Sequence, residues 1–194
     1  MLSKSRLEAF SDGVIAIIIT IMIFDIKMPE LKAEITNEVI FSAFRNLIPK
    51  ILAFSLSFLV LAIFWINHHA LFDQIPHTTP KVIWANVFLL FVMSFIPLPT
   101  AFLAAHPFLP AASMFYGGLM CLNSFGFLVL RRTIEHSENL LPVNQNAQIQ
   151  NGIAATFYLL SIPAAMLSVW ISFCIFIGIP LWYFIPRHRK QTSH

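Results

Sequence analysis

The chain has 194 residues, of which 58% are hydrophobic and only 11% are charged, and its net charge is +3. Soluble domains usually carry about 25% charged residues, so this composition excludes an ordinary water-soluble fold. We therefore expect an all-α integral membrane protein in contact with the lipid bilayer. We expect no nucleic-acid binding, because the excess cations lie at the ends of apolar segments and form no basic stripe.

Four apolar segments are each close to the roughly 20 residues that a bilayer-spanning helix needs. Charged or polar residues bound each of them, so each is predicted to cross the membrane once. In chain order, these predicted spans cover 9–26, 44–66, 81–102 and 111–130. We expect residues 27–43 to form a loop with one amphipathic turn or short helix. We also expect prolines to interrupt the third span late, and Arg131-Arg132 to stop the fourth.

The last apolar segment, 153–185, would be about 50 Å long as one helix, whereas the hydrocarbon core is about 30 Å thick. Two short spans joined tightly near 167–169 fit better, which makes six spans in total. With six spans and the N-terminus inside, most of the 12 lysines and arginines are cytoplasmic, as the positive-inside rule requires. We predict one membrane domain over 1–194 in the cell membrane, with both termini cytoplasmic.

Three ionisable residues, Arg6, Glu8 and Asp12, stand at the mouth of span 1. Ser5 and Glu8 match a helix-start capping box, which explains part of this cluster as ordinary helix chemistry. Asp12 needs another explanation, because an unbroken apolar run follows it. A carboxylate at this depth normally faces protein or water and has a partner.

A helical wheel places several residues of span 1 on one narrow stripe. These residues are Gly13, Ile17, Thr20 and Phe24, with Ile21 beside them. Asp12 lies about 140° from Ile17, on the other side of the helix. This arrangement predicts one face held in the subunit by polar contacts and another free for a second role. From the residues alone, a lipid-facing or packed stripe is the simpler interpretation.

The start of span 1 resembles the RxxxFSD signature of the transmembrane protein 175 family, the endolysosomal potassium channels and their bacterial relatives. The residues that match it are Arg6, Phe10, Ser11 and Asp12. Two more pairs agree with the family pattern, Asn67-His68 at the end of span 2 and Trp84-x-Asn86 early in span 3. The resemblance implies a potassium-selective, non-voltage-gated leak channel. It also implies a homotetramer around span 1 that conducts K⁺ and needs no cofactor.

Span 1 lines the pore in that family, so the resemblance assigns pore-lining positions to Ile17, Thr20, Ile21 and Phe24. Ile17 corresponds to a hydrophobic constriction, and Phe24 replaces a residue that is usually aliphatic. No TVGYG-like run provides a backbone-carbonyl filter. Four copies of the stripe would instead form apolar rings that gate by dewetting and one hydroxyl ring that replaces hydration oxygens. A ring of Asp25 carboxylates would concentrate cations at the outer mouth.

Two roles remain open for the motif residues: gating or proton sensing, or a structural network that ties span 1 to spans 2 and 3. We favour the structural role. The expected partners are Asn67, His68, Trp84 and Asn86, because the cytoplasmic ends of these spans lie at one level. Trp65 is expected to anchor the chain at the membrane interface. Adjacent histidines on a helix point about 100° apart, so we expect no metal site at His68.

The main alternative function is a proton- or cation-coupled secondary transporter. Such a protein needs an ionisable residue near the bilayer midplane, and the predicted spans carry theirs only near their ends. An enzyme is not expected, since the sequence contains no HExxH, GxSxG or paired midspan carboxylates. A membrane assembly factor without transport activity remains open.

Overall fold

The computed structural model of the chain describes residues 3–27, 36–137 and 145–183. All regular secondary structure in these ranges is helical, so the predicted all-α class is confirmed. The α-helices are α1 (Lys4–Ile21), α2 (Asn37–Phe72), α3 (Pro80–Met93), α4 (Pro97–Ala105), α5 (Pro110–Ser137), α6 (Gln145–Leu167) and α7 (Val169–Tyr183). A 3₁₀ turn, Met22–Asp25, continues α1.

Four helical units are long and apolar enough to cross a membrane, namely α1 with its 3₁₀ turn, α2, α3 together with α4, and α5. α7 is a shorter apolar helix. Ser168 separates α7 from α6, so the last apolar stretch forms two helices, as its length predicts.

The break between α3 and α4 also follows the prediction. Residues 94–96 form a turn, and Pro97 occupies the first position of α4. Proline lacks a backbone N–H, and its ring clashes with the carbonyl four residues earlier inside a helix. It is tolerated at a helix start, so α3 ends before Pro97 and α4 begins with it.

The predicted loop over 27–43 ends earlier than expected, because its second half is not a separate turn or short helix but the beginning of the long helix α2 at Asn37. The Thr36 hydroxyl accepts a hydrogen bond from the backbone N–H of Val39 at 3.3 Å, which is a favourable N-cap. Glu38 in the first turn complements the helix dipole. These polar residues start a helix instead of continuing a loop. Residues 28–35 lie outside the described ranges.

The helix that contains the fourth predicted span is longer than that span, because α5 continues beyond Arg131-Arg132 to Ser137. Ile134 is fully buried one turn later, so the inner face of the helix still packs there. Arginine is a good helix former, and Arg131 is itself buried. Residues 138–144, which follow α5, lie outside the described part of the chain.

The packing of the helices leaves α1 at one side of the subunit and α5 at its centre. α5 contacts α3, α4, α6 and α7, with its largest contact against α6. α1 packs against α2 and α3. One face of α1 therefore belongs to the subunit core, and the remaining surface of that helix is not covered by those two neighbours.

Candidate functional site

The two faces of α1 differ in burial. Its buried residues are Leu7, Ser11, Ile15 and Ile18, followed by Met22 in the 3₁₀ turn. They recur every three or four positions, which places them on one side of a helix. This side packs into the subunit core.

The opposite side of α1 carries the residues predicted from the helical wheel, which we call the α1 stripe: Gly13, Ile17, Thr20, Ile21 and Phe24. All five are exposed in the subunit. Ile17 is 62% exposed and Phe24 is 73% exposed, which is high for side chains of this size. The stripe is therefore an apolar surface that the rest of the subunit leaves uncovered.

Thr20 provides the polar group of the stripe. Its hydroxyl donates to the backbone carbonyl oxygens of Ala16, at 2.8 Å, and Ile17, at 3.1 Å. Because the hydroxyl proton is directed at the helix backbone, the oxygen lone pairs are free to accept from outside. An oxygen held in this way is a suitable ligand for a cation.

Asp25 lies in a different environment from the stripe. It lines a cavity of about 150 Å³ beside the end of α1, together with Lys50 of α2 and Thr100 of α4. The 3₁₀ turn is the reason, because each residue advances about 120° there instead of 100°. Asp25 is thereby rotated toward the side of Met22, which is buried. The prediction that Asp25 lies at the end of the stripe assumes that the chain stays α-helical as far as Asp25, whereas residues 22–25 form a 3₁₀ turn.

A chain of buried hydrogen bonds joins α1 to α3 and α2. Asn86 Nδ2 donates to Ser11 Oγ at 2.9 Å, and Ser11 Oγ donates to the Leu7 carbonyl at 2.9 Å. His68 Nε2 lies 2.7 Å from Asn86 Oδ1. Since an amide oxygen only accepts, His68 donates from Nε2. The amide of Asn86 thus bridges one residue of α1 and one of α2.

A second contact joins α1 to α2 beside this chain. Trp65 Nε1 donates to Asp12 Oδ1 at 2.8 Å. Sequence reasoning missed this partner by assigning Trp65 to the membrane interface. The spacing contains a signal, because Trp65 and His68 are three residues apart and share one face of α2. We call these five residues, Ser11, Asp12, Trp65, His68 and Asn86, the polar anchor.

The other residues expected in the network lie elsewhere. Arg6 and Phe10 are exposed on α1, and Trp84 is exposed on α3. Within the described residues, Arg6 forms no ion pair. Asn67 lines a separate cavity between α2, α5, α6 and α7.

The expected capping box does not form. Ser3 is the N-cap of α1, and its side chain makes no capping hydrogen bond. Glu8 instead pairs with Lys4 at 3.8 Å. The start of α1 is therefore stabilised by ordinary helix-surface charge pairing, and the specific polar contacts begin at Ser11.

Comparison with known proteins identifies the family. A family model described as the endosomal/lysosomal potassium channel TMEM175 matches residues 6–97. That range contains the α1 stripe and the whole polar anchor.

Relatives extend the similarity over the rest of the chain. A potassium channel of Chryseobacterium sp. (strain P1-3) is 30% identical over 99% of this chain and 98% of its own length. A potassium channel of Chamaesiphon minutus (strain ATCC 27169 / PCC 6605) is 30% identical over 92% of both chains.

A solved structure matches the fold. The crystal structure of a lysosomal potassium-selective channel TMEM175 homolog from Chamaesiphon minutus superimposes with a TM-score of 0.78. The two chains are 28% identical, and the match covers 93% of this chain and 95% of the other. This chain therefore belongs to the TMEM175 potassium channel family, a family of multi-pass membrane channels and not of enzymes.

Proposed function

We propose that this chain is a potassium-selective leak channel in which four copies surround one pore lined by α1. Residues 1–194 form one channel domain in the cell membrane, with both termini cytoplasmic. The observation that carries the proposal is the α1 stripe, because it is exposed in the subunit yet lies directly opposite the face that holds α1 in place.

The uncovered stripe supports association with other copies. Ile17 and Phe24 expose most of their apolar surface, whereas the polar anchor and the buried residues fix the orientation of the helix. A cyclic arrangement of four copies directs the stripe of each toward one axis. The permeant K⁺ ion is the ligand of this assembly, and no resident cofactor is required.

The chemistry of the stripe suits a hydrophobic pore. Rings of Ile17 and Ile21 form apolar constrictions that can empty of water and thereby close the path to ions. A ring of Thr20 hydroxyls lies between them along the helix, with its lone pairs free to replace part of the hydration shell of K⁺. Phe24 forms the next ring toward the end of α1.

The names of the two bacterial relatives agree with this function. Both full-length relatives are named potassium channels, and the matching crystal structure is described as a potassium-selective channel. A coupled transporter is not favoured. Its coupling site would need an ionisable group near the middle of the membrane, and buried His68 and Arg131 lie within two turns of the ends of α2 and α5.

The accessibility of introduced cysteines tests this proposal. Cys121 and Cys174 are first replaced by serine, and Ile17→Cys or Thr20→Cys is then introduced. A positively charged methanethiosulfonate reagent should block K⁺ flux through both variants in liposomes, since it would deposit charge and bulk in the pore. Ile177→Cys on α7 is the control, because Ile177 is comparably exposed at 51% but lies outside the stripe. Equal block of all three variants, or of none, would contradict a pore along α1.

A further inference from the structure

A buried arginine near the end of α5 has no role in the proposed pore. Arg131 is 4% exposed, and its Nε is completely enclosed without a hydrogen-bond partner among the described residues. A buried charge is normally paired or hydrogen-bonded, because removing it from water is unfavourable. We therefore expect a group that accepts a hydrogen bond from Arg131 and balances its charge.

The protein groups near Arg131 do not supply one. Glu135, one turn further along α5, interacts electrostatically with the guanidinium, but no ion pair forms between described residues at this position. The Phe127 ring lies 5.6 Å from the guanidinium carbon. A cation–π contact stabilises positive charge, yet it accepts none of the guanidinium N–H bonds.

A second buried donor lies at the same level of the bundle. Asn151 is 7% exposed, and its Nδ2 also has no partner among the described residues. Arg131 and Asn151 each lie about two turns from the connection between α5 and α6. Tyr183 relates the two, because its hydroxyl donates to Asn151 Oδ1 at 2.7 Å and it interacts electrostatically with Arg131.

The orientation of these groups favours an anion. Nε is the only guanidinium nitrogen of Arg131 that is completely enclosed without a partner among the described residues, so the terminal nitrogens are the ones that a ligand can approach. The planar guanidinium binds phosphate oxygens through two parallel hydrogen bonds. Arg132, the next residue, is exposed and adds positive potential at the same end. Lipid phosphates lie at the ends of membrane-spanning helices.

We propose that Arg131, with Asn151 as second donor, forms a binding site for a phosphate group at the end of α5. The phosphate comes either from an anionic lipid headgroup or from free phosphate, and both neutralise the buried guanidinium. A water molecule would accept hydrogen bonds there but would leave the charge uncompensated. The site lies outside the α1 stripe, so its existence does not depend on ion conduction.

Thermal unfolding of the reconstituted protein tests the site. Wild type, Arg131→Gln and Arg132→Gln are placed in phosphatidylcholine vesicles with or without phosphatidylglycerol, and unfolding is followed by tryptophan fluorescence. A ligand that binds only the folded state raises the unfolding midpoint. We expect phosphatidylglycerol to raise the midpoint of wild type and of Arg132→Gln, but not that of Arg131→Gln.

Two further measurements separate the source of the phosphate and guard against misfolding. Inorganic phosphate added to phosphatidylcholine vesicles should raise the midpoint only if the site takes free phosphate. Arg131→Lys keeps the charge but loses the two-pronged geometry, so native mass spectrometry should show at least about fivefold less retained phosphatidylglycerol. Because this variant keeps the charge, it gives a second readout that does not depend on the stability of Arg131→Gln.

Three outcomes would overturn the proposal. The first is that neither phosphatidylglycerol nor phosphate raises the wild-type midpoint. The second is an equal rise in Arg131→Gln, or equal lipid retention by Arg131→Lys. The third is a large destabilisation of Arg131→Gln in phosphatidylcholine alone, because that would show that the protein itself satisfies the charge. Removing a buried charge that lacks a protein partner should leave the stability there unchanged or higher.

Discussion

Trp65 donates a hydrogen bond to Asp12 across 2.8 Å, which fastens α2 to α1 on the side opposite the exposed stripe. Asn86 makes a parallel connection through Ser11. Together they fix the rotation of α1 about its own axis. The residues directed away from the subunit are then the ones that the proposed pore requires.

The Asp12–Trp65 contact predicts an effect on assembly. Asp12→Ala removes the acceptor and Trp65→Phe removes only the donor N–H, so both should weaken the hold on α1, by about 1–3 kcal/mol. We expect a lower tetramer yield for both variants, measured by native mass spectrometry in detergent. A normal tetramer yield with an altered pH response of flux would instead favour the proton-sensing role of Asp12.

The amide of Asn86 predicts energetic coupling between α1 and α3. Asn86→Ala leaves both Ser11 and His68 without their partner, whereas Ser11→Ala removes only one contact. A double-mutant cycle of these two changes should give a coupling energy of about 0.5–3 kcal/mol in thermal unfolding. Strict additivity would show that the 2.9 Å contact between them contributes nothing measurable.

The close approach of α5 and α6 depends on Gly117. A Cβ at this position would collide with Ser161 Oγ, whereas at Gly118 the nearest atom would be Ile162 Cδ1 at 3.9 Å. Gly117→Ala should therefore destabilise the protein, by about 1–3 kcal/mol, and Gly118→Ala is the matched control. The double variant Gly117→Ala/Ser161→Ala should recover stability, since the next contact is at 3.4 Å. If the double variant is no more stable than Gly117→Ala, the destabilisation does not come from a collision with Ser161 Oγ.

The hydroxyl of Thr20 predicts an effect on ion discrimination. Thr20→Val keeps the side-chain shape but replaces the oxygen, so in the proposed pore each ion would lose one ligand per subunit. We expect a roughly fivefold lower ratio of K⁺ to Na⁺ flux, the equivalent of about 1 kcal/mol, while Thr20→Ser should stay near wild type. An unchanged ratio in Thr20→Val would exclude the hydroxyl ring as a source of selectivity.

The elements that could be predicted are those set by local pattern. The 3.6-residue period of span 1 separates Ile17 from Asp12, and the structure shows Ile17 exposed while Asp12 is hydrogen-bonded to a neighbouring helix. Pro97 marks a helix start, because its ring excludes it from a helix interior. The length of the last apolar stretch likewise required the break at Ser168.

The features that escaped prediction depend on contacts between distant parts of the chain. In the sequence, Arg131 indicates the end of a membrane span. The helix α5 nevertheless continues past it, because Ile134 is still packed in the core. The place of Trp65 in the sequence fits a membrane interface as well as a hydrogen bond to a neighbouring helix, and only the position of α1 decides between them. The place of Asp25 follows from a 3₁₀ turn that the sequence does not mark.

Ion flux through purified protein in liposomes tests the central claim most directly. We predict that wild type carries K⁺ faster than Na⁺, and that Ile17→Asn raises cation flux because a polar ring keeps the constriction wet. Ile177→Asn on α7 makes the same change at a comparably exposed position and should leave flux unchanged. Wild-type K⁺ flux no greater than that of empty liposomes, or an Ile17→Asn variant with unchanged flux and selectivity, would contradict a potassium pore along α1.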